Sequence, residues 1–140
     1  NDMLHNAYAN GLFNTILFNI LCEIQTENSK NKHHDVMRDC LYYINDNLTK
    51  DLSVSMLAKK FSYCEKHFRQ IFKKYTGLTP KQYILKLKID KSCELLKNTN
   101  YSVETISALL NFSNTHHFSN TFKLLKNTTP SNYRQERSKD

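Results

Sequence analysis

Hydrophobic residues recur along much of the chain at spacings of three and four, the period of one face of an α-helix. One such stripe occupies residues 12–24 and predicts an amphipathic helix within residues 1–24. Residues 25–35 contain no apolar side chain, which predicts a polar linker, and the helical pattern resumes in a main domain at 36–140. Two glycines and two prolines are too few for the turns of a many-stranded sheet, so the pattern favours an all-α fold.

The helix predicted at residues 12–24 is too apolar to stay in water. We expect it to pack on the rest of this chain, on a second copy in a homodimer, or on an upstream sensing or dimerisation domain of which it is the last helix. Asn14, Asn19 and Glu23 interrupt the stripe, which is therefore too short and too polar to cross a bilayer. The sequence predicts no membrane partner.

Capping signals divide the main domain into helices. Ser53 is a typical N-cap, and Gly77 is typical of the residue that ends a helix. Thr79 and Pro80 provide an N-cap and a first-turn proline for a long helix at about 80–97. Because the apolar pattern breaks near Ser62, we predict two short helices and a tight turn before that long helix.

The same pattern occurs twice in the main domain. The two copies align at an offset of 49 residues up to Phe61 and at an offset of 50 from His67 onward. An insertion of one residue is expected in a turn rather than in a helix. The predicted architecture is therefore two helix-turn-helix units, at about 53–75 and about 102–126, joined by the connecting helix.

A helix-turn-helix unit needs a buried core where its two helices cross. The repeat predicts that this core consists of Leu57, Phe61, Phe68, Phe72, Ile106, Phe112, Phe118 and Phe122. A helical repeat that binds a protein has the same periodicity, although two copies are fewer than the three or more that such arrays need.

Charge is distributed unevenly along the chain, whose formal net charge is +7. Residues 1–29 contain no lysine or arginine, whereas ten basic residues lie between Lys59 and Lys91, opposed only by Glu65 and Asp90. A basic surface of this kind is either a solvated face or a binding surface for the phosphates of a nucleic acid, since binding releases condensed counterions.

The outward faces of the second helices carry hydrogen-bonding groups. With Phe68 and Phe72 buried, we expect the first helix to contact DNA through Lys66, Arg69, Gln70, Lys73 and Lys74. With Phe118 and Phe122 buried, we expect the second to use Thr115, His116, Ser119, Asn120 and Lys123. Arginine pairs bidentately with guanine, and glutamine or asparagine with adenine. The second face is less basic and is predicted to bind more weakly.

The segments FSYCEKHFRQIFKKYTGLTPKQYI and NFSNTHHFSNTFKLLKNTTPSNYR resemble the two recognition-helix signatures of the AraC/XylS family of bacterial transcription regulators. The resemblance covers about 100 residues, from Val36 to Arg137. It implies a regulator that binds promoter DNA, recruits or positions RNA polymerase, and often carries a sensing or dimerisation domain ahead of this module. A connecting helix of roughly 27 Å would hold the two recognition helices in successive major grooves, which are ~34 Å apart.

The chain departs from the family pattern at several positions. Asn111 and Asn127 stand where the family usually has glycine, and asparagine is the best substitute in a left-handed conformation. Lys88 replaces a usual arginine, which puts the contact of that arginine in doubt. Ser92 and Ser107 replace usual alanines.

No set of residues predicts catalysis or metal binding. The four cysteines are far apart and, with no secretory signal, are expected to be reduced thiols of a cytoplasmic protein. His33-His34 and His116-His117 are adjacent pairs, which point about 100° apart on a helix and make poor metal sites. We predict a DNA-binding transcription regulator with no enzymatic activity, cofactor or metal. The alternatives are a helical protein-interaction module or an RNA-binding module that uses the basic face.

Overall fold

A computed structural model of the chain describes residues 33–136, which form helices joined by short turns. The helix predicted at 1–24 and the first part of the predicted linker lie outside the described residues. The helices are α1 at 33–46, α2 (Val54–Lys60), α3 (Glu65–Thr76), α4 (Pro80–Asn98), α5 (Val103–Leu109), α6 (Thr115–Lys126) and α7 (Pro130–Glu136). The all-α prediction, with two helix-turn-helix units and a connecting helix, is confirmed.

The helix α1 starts earlier than the sequence pattern indicates. Residues 33–35, which we assigned to the polar linker, are helical. Hydrophobic periodicity reports only the buried stripe of a helix, so polar residues at the end of a helix give no such signal. At its other end α1 is followed by a turn at 47–50, in which the Asn47 side chain donates to the Tyr43 carbonyl oxygen at 2.8 Å.

The predicted caps are present. The Ser53 hydroxyl accepts a hydrogen bond from the Met56 backbone N–H at 3.1 Å. Thr79 and Gln82 form a reciprocal capping box at the start of α4. Gly77 ends α3 in a left-handed conformation with a φ of 77°. These caps place the ends of α4 within one residue of the predicted connecting helix.

Both helix-turn-helix turns have the same backbone structure. A residue with positive φ follows the first helix of each unit, Ser62 at 62° and Asn111 at 51°. Crossed hydrogen bonds of a Schellman motif close each turn: Ser62 and Tyr63 donate to Lys59 and Ala58, and Asn111 and Phe112 donate to Ala108 and Ser107.

The residue added in the second copy is Ser113. It lies between the Schellman motif and Asn114, which is the N-cap of α6, whereas Tyr63 is followed directly by Cys64, the N-cap of α3. The insertion is therefore in the turn, as the change of offset predicts.

The cores of the two units contain equivalent aromatic contacts. The rings of Phe68 and Phe72 are 5.6 Å apart, and those of Phe118 and Phe122 are 5.8 Å apart. Each second phenylalanine then meets a tyrosine of the following helix edge-on at 5.5 Å, Tyr83 of α4 or Tyr133 of α7. The repeat thus extends into a third helix, since α7 corresponds to the first turns of α4.

Seven of the eight predicted core residues are buried, the exception being Phe61. Phe61 is half-buried because its ring lies at the edge of the first unit, against the half-buried Tyr43, which it meets edge-on at 6.2 Å. In the second unit, the equivalent Leu110 is 1% exposed. The prediction placed Phe61 in the interior, and for this residue it is wrong.

The helix α4 contributes to both units. Its first turns carry Tyr83 against Phe72. Its second half supplies Ile89, Cys93 and Leu96 to the core that contains the phenylalanines of α6. Residues 38–136 belong to one compact unit, and in the described part of the chain no helix is long and apolar enough to span a membrane.

Candidate nucleic-acid interface

The helix α3 buries Phe68 and Phe72 completely and turns its opposite side to solvent. All five residues predicted to contact DNA from this helix are exposed, namely Lys66, Arg69, Gln70, Lys73 and Lys74. Four of its residues are basic, and Glu65 is its single acid. The resulting face is positively charged and carries donors of the kinds that bind phosphates and the base edges of the major groove.

Glu65 and Arg69 form an ion pair one turn apart on this face. Oε1 of Glu65 accepts hydrogen bonds from Nε of Arg69 at 3.1 Å and from Nη2 at 2.5 Å. Both side chains are about half exposed, at 45% and 49%. The guanidinium is therefore held along one edge before any ligand arrives. This pair was not among the sequence predictions, although the spacing of four residues is a signal for it.

The corresponding face of α6 is less basic and less exposed. His116, Asn120 and Lys123 are exposed, whereas Thr115 and Ser119 are half-buried rather than fully outward as predicted. Both lie at the edge of the stripe that contains the buried phenylalanines, where a short side chain is partly covered.

A hydrogen bond joins His116 and Asn120, with 2.9 Å between His116 Nε2 and Asn120 Nδ2. Like the pair on α3, it joins two side chains that lie one turn apart on the helix. The helix therefore offers a short hydrogen-bonding surface with one exposed cation, Lys123, while Lys126 is engaged by Asp90.

An apolar side chain borders this surface. Leu124 is 79% exposed and lies one turn beyond Asn120. In the repeat it corresponds to Lys74, so the second unit has an apolar residue where the first has a cation. This difference was not among the sequence predictions, although a position-by-position comparison of the two copies reveals it.

Comparison with known proteins agrees with the fold. A family model described as a helix-turn-helix domain matches residues 57–136, more than half of the chain. An AraC-type transcriptional regulator from Chromobacterium violaceum superimposes with a TM-score of 0.68 and 27% identity, over 74% of this chain and 92% of that one. The chain belongs to the AraC/XylS family. The matched region is the DNA-binding domain of this family of transcription regulators.

Two further proteins are similar to this AraC/XylS chain. YidL from Escherichia coli, named as an HTH-type transcriptional regulator, is 28% identical over 122 residues. Those residues are 87% of this chain but 41% of YidL, so the chain spans less than half of that relative. The DNA-binding domain of AdpA, solved with a target DNA, has the same fold, with a TM-score of 0.69 and 20% identity over 71% of this chain and 90% of that one.

Lys88 stands at an arginine position of the AraC/XylS pattern, and it keeps a contact with the second turn. Its side chain is buried, and Nζ donates to the carbonyl oxygen of Asn111 at 3.1 Å and lies 5.5 Å from the ring centre of Phe112. Burial lowers the pKa of this ammonium, an effect that the charge of Asp51 opposes. The lysine therefore ties the connecting helix to the left-handed residue ahead of α6.

A second tie joins α4 to the end of the recognition helix α6. Nζ of Lys126 donates to Oδ1 of Asp90 at 2.7 Å, and this hydrogen bond raises the pKa of Lys126. The carboxylate also counters part of the positive charge at the C-terminal end of α6. Through Lys88 and Asp90, the AraC/XylS connecting helix contacts the turn ahead of α6 and the last turn of α6.

Two histidines and one cysteine of the AraC/XylS domain contact or lie within its core. His67 meets Tyr63 edge-on at 5.5 Å, and the equivalent His117 meets Phe112 at the same distance. Cys40 is buried, which raises the pKa of its thiol to about 12. Among residues 33–136, no three histidine, cysteine, aspartate or glutamate side chains are grouped to hold a metal ion.

Proposed function

We propose that this protein binds double-stranded promoter DNA by placing α3 and α6 in successive major grooves on one side of the duplex. The observation that carries the proposal is the repeated structure of the two units. Each unit buries the phenylalanines of its second helix and exposes hydrogen-bonding side chains on the other side of that helix. A helix presented in this way is the element that helix-turn-helix proteins insert into the major groove.

The length of α4 suits two successive grooves. Its 19 residues span roughly 28 Å at 1.5 Å per residue. One duplex turn is ~34 Å, so α4 with the adjoining turns provides a separation of the required size. The AdpA DNA-binding domain, which has this fold, was solved with its target DNA, and this likeness supports duplex DNA as the ligand.

The two faces suit different roles in recognition. Arg69 and Gln70 are suited to guanine and adenine, while Lys66, Lys73 and Lys74 are suited to phosphates. On α6, Asn120 is suited to adenine and Lys123 to a phosphate, with Thr115, His116 and Ser119 offering shorter-range hydrogen bonds. The first unit therefore supplies most of the affinity, and the second adds a weaker and more permissive contact.

Two partners follow from family membership and are part of the proposal. RNA polymerase is the expected second partner on promoter DNA. A homodimer through residues 12–24, or through an upstream domain, stays a prediction that concerns residues outside the described part.

Genomic footprinting of the intact protein tests the two-groove proposal. We expect two protected patches about one helical turn apart at each site. Asn120→Ala should weaken protection of one patch more than the other, whereas Glu94→Gln, a matched change on the exposed side of α4, should alter neither. One short patch, or no protection, would contradict two-groove binding. Stronger binding to single-stranded RNA than to duplex DNA in competition would favour the RNA-binding alternative.

A further inference from the structure

We infer that Glu65 determines base specificity by positioning Arg69. Glu65 holds the Nε–Nη2 edge of the guanidinium and so restricts its orientation. The remaining donors then point to a guanine, whereas an unrestrained guanidinium could also bind several neighbouring phosphates. The inference rests on the proposed function, because it concerns how α3 reads a base. Glu65 itself need not touch DNA and acts through the arginine.

The geometry leaves Arg69 with a free reading edge. A guanidinium has five N–H donors in a fixed fork. The hydrogen bonds to Oε1 of Glu65 use one donor on Nε and one on Nη2. The donors on Nη1 and the second donor on Nη2 remain, and this is the edge that pairs bidentately with O6 and N7 of guanine.

Stability alone does not account for a carboxylate at this position. Both side chains are about half exposed, and an exposed ion pair one turn apart on a helix contributes little to the stability of the fold. The ion pair affects DNA binding more than it affects folding. An arginine that is already fixed loses less rotamer entropy when its guanidinium binds a base.

The charge of Glu65 opposes non-specific binding. It is the one acidic residue of α3, on a helix that also carries Lys66, Lys73 and Lys74. A carboxylate on a face that approaches a duplex repels phosphates, and it also neutralises the adjacent arginine. Glu65 therefore lowers affinity for any duplex while it raises the preference for a guanine at one position.

The second unit has no equivalent carboxylate–guanidinium pair on its recognition helix. The residues of α6 that correspond to Glu65 and Arg69 are Thr115 and Ser119, neither of which is charged. Its own pair, His116 and Asn120, lies one residue further along the helix. Among the two described recognition helices, the carboxylate–guanidinium pair thus belongs to the first, which is also the more basic one.

Selection from a randomised duplex pool by the full chain tests the inference. The proteins are the wild type, Glu65→Gln, Arg69→Ala, the double variant, and Glu94→Gln as control. The control breaks an ion pair with Lys91 of similar exposure on α4. The readouts are the base preference at each selected position and the affinity for a mixed-sequence duplex at two salt concentrations.

We expect the wild type to bind a site with guanine at one position about 5–100-fold more tightly than a site with another base there. Arg69→Ala should abolish this preference. Glu65→Gln should weaken the same preference about fivefold and raise affinity for the mixed duplex about twofold, since a repulsive charge is gone. In the absence of Arg69, Glu65→Gln should alter no base preference, and Glu94→Gln should match the wild type.

Two results would overturn the inference and are distinguishable from failure of the proposed function. If Arg69→Ala removes a guanine preference that Glu65→Gln leaves intact, Arg69 reads the base without help from Glu65. If Arg69→Ala weakens binding to all sequences equally, Arg69 is a phosphate anchor and there is no reading edge to position. Absence of duplex binding by the wild type would instead refute the proposed function itself.

Discussion

At the scale of single residues, several turns require a residue with positive φ, a conformation that glycine and asparagine adopt most readily. Asn111, Asn127 and Ser62 all have positive φ. The first two are asparagines at glycine positions of the family, and the structure confirms that both turns survive the replacement. Ser62 is less suited to this conformation, because a serine has neither the freedom of glycine nor the local hydrogen bonding that lets asparagine adopt it readily.

Replacement of Ser62 by glycine should stabilise the protein. We expect Ser62→Gly to raise the free energy of unfolding by about 1 kcal/mol, because relief of left-handed strain exceeds the added entropy of the unfolded chain. Urea denaturation measures the change. Asn111→Gly, at the equivalent position of the second turn, is the matched control and should give a smaller gain. A loss of stability in Ser62→Gly would show that the serine side chain is itself needed in the turn.

At the scale of helices, the two recognition helices differ in charge although they share a core. On α3 the exposed lysines are Lys66, Lys73 and Lys74. On α6, Lys123 is exposed, whereas the ammonium of Lys126 donates a hydrogen bond to the Asp90 carboxylate. The tie from Asp90 could not be predicted from sequence, because the two residues are 36 positions apart and neither belongs to a periodic pattern.

The salt dependence of binding should reflect this difference. The slope of log K against log salt concentration becomes shallower by about 0.9 for each phosphate that the protein no longer neutralises. We expect Lys73→Ala and its repeat equivalent Lys123→Ala each to reduce the slope by about one. Lys126→Ala should change the slope much less, because this ammonium already has an anionic partner.

Titration of a mixed duplex at several salt concentrations gives these slopes. Lys91→Ala is the control, since Lys91 lies on α4 and is paired with Glu94. An equal reduction of the slope by Lys126→Ala and Lys123→Ala would show that Lys126 leaves Asp90 to bind DNA.

At the scale of the whole molecule, the shared helix α4 couples the two units. Tyr83 at its start packs on the first core, and Ile89, Cys93 and Leu96 pack in the second. The buried Lys88 fastens the same helix to the second turn. We therefore expect a perturbation of one core to affect the other through α4.

We expect residues 33–136 to unfold in one cooperative transition. Phe118→Ala, which empties a fully buried site in the second unit, should lower the free energy of unfolding by about 3–5 kcal/mol. Hydrogen exchange should show weaker protection in α3 as well as in α6. Phe68→Ala is the matched change in the first unit and should have a similar effect. Two separate transitions, or weaker protection in one unit alone, would contradict coupling through α4.

The sequence by itself determined the two helix-turn-helix units and their connecting helix, the caps at Ser53, Gly77 and Thr79, the duplication and the turn that holds the inserted residue, because each depends on local periodicity and on short-range hydrogen bonds. It also predicted which side of α3 is exposed, since two buried phenylalanines one turn apart fix the orientation of that helix.

The tertiary structure alone decided which contacts form between helices. The pairing of Lys126 with Asp90, the burial of Lys88 against Asn111 and the partial exposure of Phe61 all depend on how the helices pack. Periodicity identifies which face of a helix is buried, but not which atoms lie beside it, because residues distant in sequence meet only once the helices have packed.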